Sequence, residues 1–442
     1  MQEWAGGGSR TERGAKGKES QIAMSDQPAG PDRLFRYYPE DFGDLSVRVI
    51  HMDLLFDVYD DHTRAVSRLT AVVLDQPITK IVLNAQDLEI LSVSCDSGDV
   101  RTEYDREKHL LTISWDIPLP PHTRFTITTE TICRPSDHIL EGLYYDRTPE
   151  GSPPTQVTQC QQWGFQRLVP CVDDMTAKCT YTTTIIADSR YSRIITNGDV
   201  IEPRHPAGNG RDRITYDNSR TPMAPYLFFL GVGTYDTFTR EFEYPDGSTF
   251  GLELLVPPGS DPVVAEYALQ VLSDAIMWVF LFTGPGSCGN LPERRQLLAQ
   301  IRVRDSLKRS GGDAAELRAI REQIRNTAAG LSTGYQYTGA EYREIGMQNS
   351  DFGGMENVGN TTITMNRIMP YPQMTDPAFE YMIRVKVHEF YHNLNGSEVT
   401  GRSPFEIWLN EAVTAFIEEK YHAFLFSDRY TRLQTVLNLF AP

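Results

Sequence analysis

The sequence predicts an α+β protein with more than one domain, because two patterns follow one another along its 442 residues. Residues 34–236 contain short runs in which apolar and polar side chains alternate or β-branched residues dominate, a pattern typical of strands. From residue 237 the apolar positions take up helical spacing, and two helices are predicted near the C-terminal end. A chain of this length is long enough for two or three domains. We therefore expect an all-β domain at residues 34–236 and an α+β domain at residues 237–442.

Composition narrows the class of protein before any motif is considered. The formal net charge of −17 argues against a nucleic acid as partner, because phosphate binding requires clustered lysine and arginine. The longest apolar runs, such as residues 276–282, are too short to cross a bilayer, so we expect no membrane span. The six cysteines have neither the spacing of a disulfide framework nor a C-x-x-C pair, which favours reduced thiols and a cytoplasmic location.

The N-terminal part divides into a leader and a series of strands. Residues 1–33 combine glycine, serine and charged residues without an apolar run, which predicts a disordered leader rather than a secretory signal. Strands are predicted at residues 47–59, 67–75, 80–85, 110–115 and 124–132, with Asp-Gly, Pro-Pro and Asn-Gly breaks between them. Nothing longer than a strand repeats at a fixed period, so the pattern excludes a solenoid.

The second part contains strands followed by helices. A strand is predicted at residues 250–257, and residues 334–346 and 360–368 are interpreted as two more. A helix is predicted at residues 261–284, because an Asp-Pro pair at its start supplies a cap and a first helical residue.

Two further helices are predicted closer to the C-terminal end. Asp376-Pro377 has the form of an N-cap followed by proline, and Ser-Pro-Phe-Glu at residues 403–406 has the form of a capping box. Between these helices lies a polar segment that predicts a turn or loop. The second helix can therefore fold back beside the first.

Residues 285–333 form a charged segment between the strands and these helices. Its sequence predicts two short helices around Gly311 and Gly312, and residues 291–330 carry nine lysines and arginines against five acidic residues. One interpretation is a solvated hairpin on the surface. The alternatives are a docking arm for an acidic partner and a lid over a cleft.

Four side chains near the C-terminal end have the spacing of a metal site. His388, Glu389 and His392 form an H-E-x-x-H sequence, and Glu411 follows His392 after eighteen intervening residues. Histidines at i and i+4 lie on one face of a helix, so their ring nitrogens can converge on one ion. Two imidazoles and a carboxylate suit zinc and leave a fourth position for water, which Glu389 could then deprotonate. The alternative is an ordinary polar face of a helix.

The segments GGMEN, HEFYH and WLNE, at residues 353–357, 388–392 and 408–411, together resemble the aminopeptidase N family of zinc metallopeptidases. That family has the form G-A-M-E-N, then H-E-x-x-H, then a glutamate after eighteen residues. Residues 158–187, 192–202 and 224–236 resemble further landmarks of the family, so the likeness covers most of the chain apart from residues 285–333. It implies a saddle-like antiparallel β-sandwich followed by a thermolysin-like α+β catalytic domain that is incomplete at its C-terminus.

The resemblance also implies a role for each matching residue. One zinc ion per chain would be held by the two histidines and Glu411, with Glu389 as the general base. Glu356 would bind the free α-amino group of a peptide, and the backbone of Gly353 and Gly354 would lie along the substrate. The other substrate-binding positions that the family implies are Met355, Asn357, Gln159 and Phe352. A plain β-turn with an exposed glutamate is the alternative for the GGMEN segment.

Departures from the family pattern affect the expected activity. The second amine-binding acid of the family falls on Gln161, which is neutral, so we expect weaker capture of the substrate ammonium group. The family's transition-state tyrosine lies well beyond the third ligand, but only 31 residues follow Glu411, and Tyr421 and Tyr430 do not lie in a matching context. The chain is therefore expected to be either a fragment of a longer protein or a family member without this oxyanion donor.

The leading hypothesis is a zinc-dependent aminopeptidase that acts on peptides with a free N-terminus. A catalytically impaired relative that serves as a binding or scaffold module is the alternative, favoured by Gln161 and by the missing tyrosine. A thermolysin-type endopeptidase is a third hypothesis, which the segment around Glu356 disfavours.

Overall fold

The computed structural model describes residues 38–350 and 353–440, so the predicted leader at residues 1–33 lies outside the described part. The architecture is the predicted one, in which a β-rich N-terminal region precedes an α+β region. The N-terminal strands are β1 (Val47–Val58), β2 (Thr63–Val73), β3 (Ile78–Asn84), β4 (Glu89–Cys95), β5 (Arg101–Asp105), β6 (Leu110–Leu119), β7 (Arg124–Cys133), β8 (Gly142–Tyr145), β9 (Gln156–Gln159), β10 (Thr180–Asp188), β11 (Arg193–Thr196), β12 (Asp199–Gly208), β13 (Arg211–Asp217) and β14 (Leu230–Gly233).

These strands form three sheets around one large apolar core. A seven-stranded sheet has the order β12-β13-β10-β1-β2-β7-β4, and smaller sheets have the orders β3-β6-β5 and β11-β14-β9-β8. The pairings are antiparallel, as expected, except that β1 and β10 run parallel. Parallel neighbours need a long crossover, which the strands between them provide. Along β2, Ala65, Leu69 and Ala71 alternate into the core, so the period of two in the sequence marks the buried face.

The second region places its helices beside a single sheet. Its strands are β15 (Asp236–Glu243), β16 (Thr249–Val256), β17 (Glu341–Met347), β18 (Gly354–Met355) and β19 (Asn360–Thr364), paired in the order β15-β16-β17-β19-β18. Its helices are α1 (Pro262–Phe282), α2 (Leu291–Arg309), α3 (Ala314–Ala328), α4 (Met365–Ile368), α5 (Asp376–Tyr391), α6 (Ile407–Leu425) and α7 (Asp428–Phe440).

Two stretches that were interpreted as strands are shorter than predicted. Residues 334–340 have no regular structure before β17, and residues 365–368 form the short helix α4. In the irregular stretch, the rings of Tyr335 and Tyr337 pack against Phe390 of α5 at centroid distances of 5.9 and 6.4 Å.

Helix α1 forms the apolar centre of the second region. It begins as predicted, because the Asp261 side chain accepts a hydrogen bond from the Val263 amide at 2.8 Å. Contrary to the expectation from short apolar runs, the whole helix is long and apolar enough to cross a membrane by length and composition alone. However, 67% of its apolar window is buried inside the protein. Packing in the core of this region accounts for that composition.

The charged segment at residues 285–333 forms two helices around Gly311 and Gly312, as predicted, and most of their residues are exposed or partly exposed. Helices α2 and α3 each bury one apolar side, and Leu297, Ile301 and Ile324 are almost completely buried. These side chains belong to the same apolar cluster as α1. The segment is therefore a surface hairpin with one packed side, which its many charged residues did not suggest.

Part of the positive charge of this segment is neutralised inside the protein. Glu243 on β15 is 4% exposed and accepts hydrogen bonds from Arg321 at 2.8 and 2.7 Å and from Lys308 at 3.0 Å. Arg304, also buried, lies 3.6 Å from the same carboxylate. Burial alone raises the pKa of Glu243, but these three cations outweigh burial and lower it to about 2. A docking surface for an acidic partner would therefore have fewer free cations than the sequence count suggests.

Candidate metal centre

Helix α5 lies against the sheet with its inner side completely buried. Met382, Val387 and Phe390 are fully buried in the apolar cluster of the second region. Among them, Lys386 forms a buried ion pair with Glu344 on β17. The helix is thus held in place both by apolar contacts and by a pair of charges in the core.

The starts of the two helices that carry the candidate ligands differ slightly from the prediction. The side chain of Thr375, rather than Asp376, accepts the capping hydrogen bond at the start of α5. The predicted capping box at residues 403–406 is not formed, because the Glu406 carboxylate accepts instead from the Arg402 amide at 2.6 Å. A 3-10 turn occupies these positions, and α6 follows it directly.

Three atoms of the kind that bind metals converge where the end of α5 meets α6. Nε2 of His388 lies 3.0 Å from Nε2 of His392, and Oε2 of Glu411 lies 3.3 and 3.6 Å from these two atoms. Each group offers an atom within 4.8 Å of the others. Tetrahedral zinc with bonds of about 2.0–2.2 Å separates its ligand atoms by about 3.4 Å. The cluster therefore has the dimensions of a zinc site, and the structure brings together the three residues that the sequence singled out.

The other nitrogen of each imidazole ring is held by a second group. Nδ1 of His388 donates to Glu418 at 3.0 Å, and Nδ1 of His392 donates to the Asn395 carbonyl oxygen at 2.8 Å. Both Nε2 atoms are therefore turned toward Glu411, an orientation typical of metal-binding histidines. Sequence analysis missed Glu418, although it follows Glu411 by two helical turns and so lies on the same face of α6.

The cluster contains strongly interacting charges. Burial alone lowers the pKa of His388, but hydrogen bonds with Glu411 and Glu418 outweigh it and raise the pKa to about 11. Burial also lowers the pKa of His392, yet the charges of Glu356 and Glu411 raise it above its usual value. Hydrogen bonds from the two histidines hold the pKa of Glu411 well below its usual range. The carboxylates thus favour positive charge at this position, carried either by imidazolium rings or by a cation.

Glu389 is buried beside this cluster. It is 6% exposed, and burial raises the pKa of its carboxyl group to about 7, close to the range that suits a general base. Its carboxylate occupies the space next to Gly354, where a Cβ atom would lie only 2.2 Å from Oε1 of Glu389. The GGMEN segment and Glu389 therefore line the same space.

Several polar atoms of the substrate-binding candidates are buried without a hydrogen-bond partner in the described part of the chain. Glu356 is 4% exposed and Asn357 is fully buried, yet Oε1 of the former and Oδ1 of the latter have no partner. Nε2 of the buried Gln159 is also unpaired. The charge of Glu356 acts on both Glu389 and His392, so this carboxylate belongs to the same site. Because buried polar atoms are costly when unpaired, a ligand that donates to Glu356 would be favoured.

The remaining substrate-binding candidates show fewer features of a site. Met355 is buried in the N-terminal apolar core, and the Gly353 carbonyl oxygen accepts from the Thr364 amide at 3.2 Å. Gln161 is partly exposed. Phe352 lies outside the described residues.

The tyrosines near the C-terminal end are engaged away from the metal ligands. Tyr421 is buried and packs against the Trp278 ring at a centroid distance of 5.1 Å, and Tyr430 donates to Glu380 at 2.9 Å. Tyr226, which sequence analysis did not single out, is closer to the site. Its hydroxyl group donates to the Gly396 carbonyl oxygen at 2.9 Å, between α5 and α6.

The cluster is a His-His-Glu group that could hold a metal ion. A family model described as the peptidase M1 N-terminal domain matches residues 49–227. A second model, described as the peptidase family M1 domain, matches residues 316–440. Because these two models of one family cover more than half of the chain, the chain belongs to peptidase family M1.

Individual relatives agree with this assignment. Aminopeptidase N of Caulobacter vibrioides is 25% identical over 386 residues, which are 87% of this chain and 37% of that protein. Aminopeptidase N of Escherichia coli is 24% identical over 401 residues, which are 90% of this chain and 39% of that protein. The chain thus spans less than two fifths of the length of these relatives.

A solved structure shares the fold. The crystal structure of Legionella pneumophila aminopeptidase A in complex with aspartic acid superposes with a TM-score of 0.70 at 22% sequence identity. The match covers 90% of this chain and 40% of that one. At this identity, the likeness establishes the fold.

Proposed function

We propose that the chain is a zinc-dependent aminopeptidase. The observation that carries the proposal is the convergence of His388, His392 and Glu411 beside the buried carboxyl group of Glu389. The three converging side chains would hold one zinc ion per chain. When bound, zinc supplies a water molecule of lowered pKa and polarises the carbonyl group of the substrate.

Glu389 acts as the general base. Its carboxylate accepts the proton of the attacking water and then passes it to the leaving amine. A pKa of about 7 suits both steps, because the group can exist in either form near neutral pH. Its burial also keeps bulk water away from the proton that is transferred.

Glu356 selects substrates with a free N-terminus. Its unpartnered Oε1 is available to accept a hydrogen bond from the ammonium group, and the adjacent Gly353 and Gly354 let the substrate backbone approach closely. Gln161 contributes no second negative charge, so ammonium capture is weaker than with two carboxylates. The substrates are therefore peptides with a free N-terminus, and the six free cysteines support a cytoplasmic location.

The central test replaces Glu389 with glutamine in the full chain. We expect zinc content to stay at one ion per chain, because the ligands are untouched. Turnover of an alanyl or leucyl reporter should fall about 10²- to 10⁴-fold, because the proton acceptor is lost. Elemental analysis measures the metal and initial rates measure the turnover. Glu322→Gln, at an exposed position of α3, is the matched control and should leave both unchanged.

Three outcomes would contradict the proposal. Cleavage of a peptide whose N-terminus is acetylated would favour an endopeptidase. One zinc ion per chain without any turnover, in a protein extended to the full length of the relatives, would favour the scaffold alternative, which Gln161 supports. Turnover that survives 1,10-phenanthroline would exclude a metal-dependent reaction.

A further inference from the structure

The connecting loop, residues 393–403, joins the two helices that carry the candidate ligands. Three successive amide groups of this loop donate to the carbonyl groups of residues 392–394, which directly follow α5. These bonds run from Ser397 to His392, from Glu398 to Asn393 and from Val399 to Leu394, at 3.1, 3.2 and 2.9 Å. These three amide groups are therefore already engaged in hydrogen bonds. The carbonyl groups of residues 396–398 need donors other than these amides.

The hydroxyl group of Thr400, within the loop, lies 2.8 and 3.1 Å from the carbonyl oxygens of Gly396 and Ser397. Two side chains of the N-terminal region supply the further donors. Nζ of Lys178 donates to the carbonyl oxygens of Ser397 and Glu398 at 2.8 and 2.9 Å. The hydroxyl group of Tyr226 donates to the carbonyl oxygen of Gly396 at 2.9 Å. Three consecutive carbonyl groups of the loop are therefore held by residues that lie about 170–220 positions earlier in the chain.

Both donors stand on well-packed parts of the N-terminal region. Lys178 lies two residues before the start of β10, and its neighbours Ala177 and Cys179 are buried in the large apolar core. Tyr226 belongs to the same core and lies in a short 3-10 helix, Pro225–Leu227. A cation and a hydroxyl group on a rigid base therefore hold the loop in one position.

The loop in turn positions the ligands on both of its sides. The Asn395 carbonyl group accepts from Nδ1 of His392 at 2.8 Å, which orients that ring. The Asn395 side chain donates to the carbonyl oxygen of Asn410 at 2.7 Å, one residue before Glu411. A shift of the loop would therefore move an imidazole of α5 and the carboxylate of α6 relative to one another.

We infer that Lys178 and Tyr226 are positioning residues, through which the N-terminal region sets the spacing of the candidate zinc ligands. This inference rests on the proposed function, because it concerns the same site. It makes the N-terminal region a structural part of the metal centre, in addition to its contact with the substrate-binding segment.

The test replaces Lys178 with methionine, which keeps the length of the side chain and removes its donors. We expect the dissociation constant for zinc to rise about 10- to 100-fold, the effect typical of losing an outer support of a metal ligand. Competition with a chromogenic chelator measures this constant. In the metal-free protein, hydrogen–deuterium exchange at residues 393–400 should become faster, which gives a readout independent of activity. Lys178→Arg restores a donor and should bind zinc within about threefold of the parent.

The matched control is Arg220→Met, because Arg220 also crosses between the two regions. It donates to the carbonyl oxygen of Thr338 at 2.6 Å, far from the loop in sequence. This variant should leave the dissociation constant for zinc unchanged. Tyr226→Phe, which removes a single neutral hydrogen bond, should weaken zinc binding by about tenfold or less.

The outcomes separate this inference from the proposed function. If the parent binds zinc and turns over substrate while Lys178→Met binds zinc equally tightly, the positioning role is wrong and the enzyme proposal stands. An equal loss in Arg220→Met would mean that any weakened contact between the regions has the same effect, which also overturns the inference. A parent chain that binds no zinc overturns both.

Discussion

The two helices that form the candidate metal centre are supported very differently. Helix α5 is buried along its inner side, and its ligand His392 has a side chain that is 2% exposed. Helix α6 exposes several large apolar side chains, and its ligand Glu411 has a side chain that is 47% exposed. The exposed large apolar residues of α6 are Trp408, Leu409, Val413, Phe416 and Leu425.

This difference shows that the site is assembled from one rigid half and one weakly supported half. The positions of the two histidines are fixed by the packing of α5 in the apolar core of the second region. Near Glu411, polar contacts link α6 to α5 through Glu418 and Asn395, and the apolar packing of α6 lies further along the helix, as at Tyr421. Substitutions on the buried side of α5 should therefore lower the free energy of unfolding. Substitutions on the outer face of α6 should change that free energy little, and those near Glu411 should mainly weaken metal binding.

The largest effect is expected from Lys386→Met on α5. This change leaves the Glu344 carboxylate buried without its partner, and breaking a buried ion pair costs about 3–5 kcal/mol. Urea denaturation measures the loss in the free energy of unfolding. The double variant Glu344→Leu with Lys386→Met should recover most of that loss, because apolar residues of similar volume replace both charges. A loss below about 1 kcal/mol in the single variant would mean that α5 is not held by this pair.

An intermediate effect is expected from Glu418→Gln on α6. The amide is a weaker acceptor for Nδ1 of His388, so we expect the dissociation constant for zinc to rise about 10- to 100-fold. The unfolding transition should move little, because Glu418 is only partly buried. The adjacent Glu419→Gln serves as control. Equal weakening in both variants would show that the negative charge of α6, rather than the contact with His388, matters.

The smallest effect is expected from Phe416→Ala, which alters the outer face of α6. Phe416 is 56% exposed, and surface substitutions usually change the free energy of unfolding by no more than about 0.5 kcal/mol. The same substitution at the buried Phe390 of α5 should cost about 3–5 kcal/mol. Parallel urea titrations of the two variants give the difference directly. Equal losses would remove the contrast between the two helices.

The candidate metal ligands could be predicted from the sequence because their geometry is local. Two histidines four residues apart lie on one face of a helix in any surroundings. The start signals at residues 403–406 predicted the next helix, in which Glu411 lies. The partners of the imidazole rings could not be predicted in this way. Glu418 contacts His388 only because α6 packs against α5. Asn395 accepts through its backbone carbonyl oxygen, which every residue type has, so the sequence gives no signal for this contact.

The contacts of Lys178 and Tyr226 with the connecting loop could not be predicted from the sequence for a further reason. They reach the site across about 170–220 residues of chain, and only the packing of the two regions decides which side chains meet. The segment at residues 285–333 was predicted to be solvated because of its many charges, and most of its residues are exposed or partly exposed. Its packed side, which includes Leu297 and Ile301, was not foreseen.

The contact between Gly354 and Glu389 means that the residue at position 354 limits where the Glu389 carboxylate can lie. The family form of the motif carries alanine where this chain has Gly354, and a methyl group there would overlap the Glu389 carboxylate in its present orientation. The two positions are therefore sterically linked, although 34 residues separate them in numbering. Replacing Gly354 with alanine would therefore require the Glu389 carboxylate to leave the position that it has here.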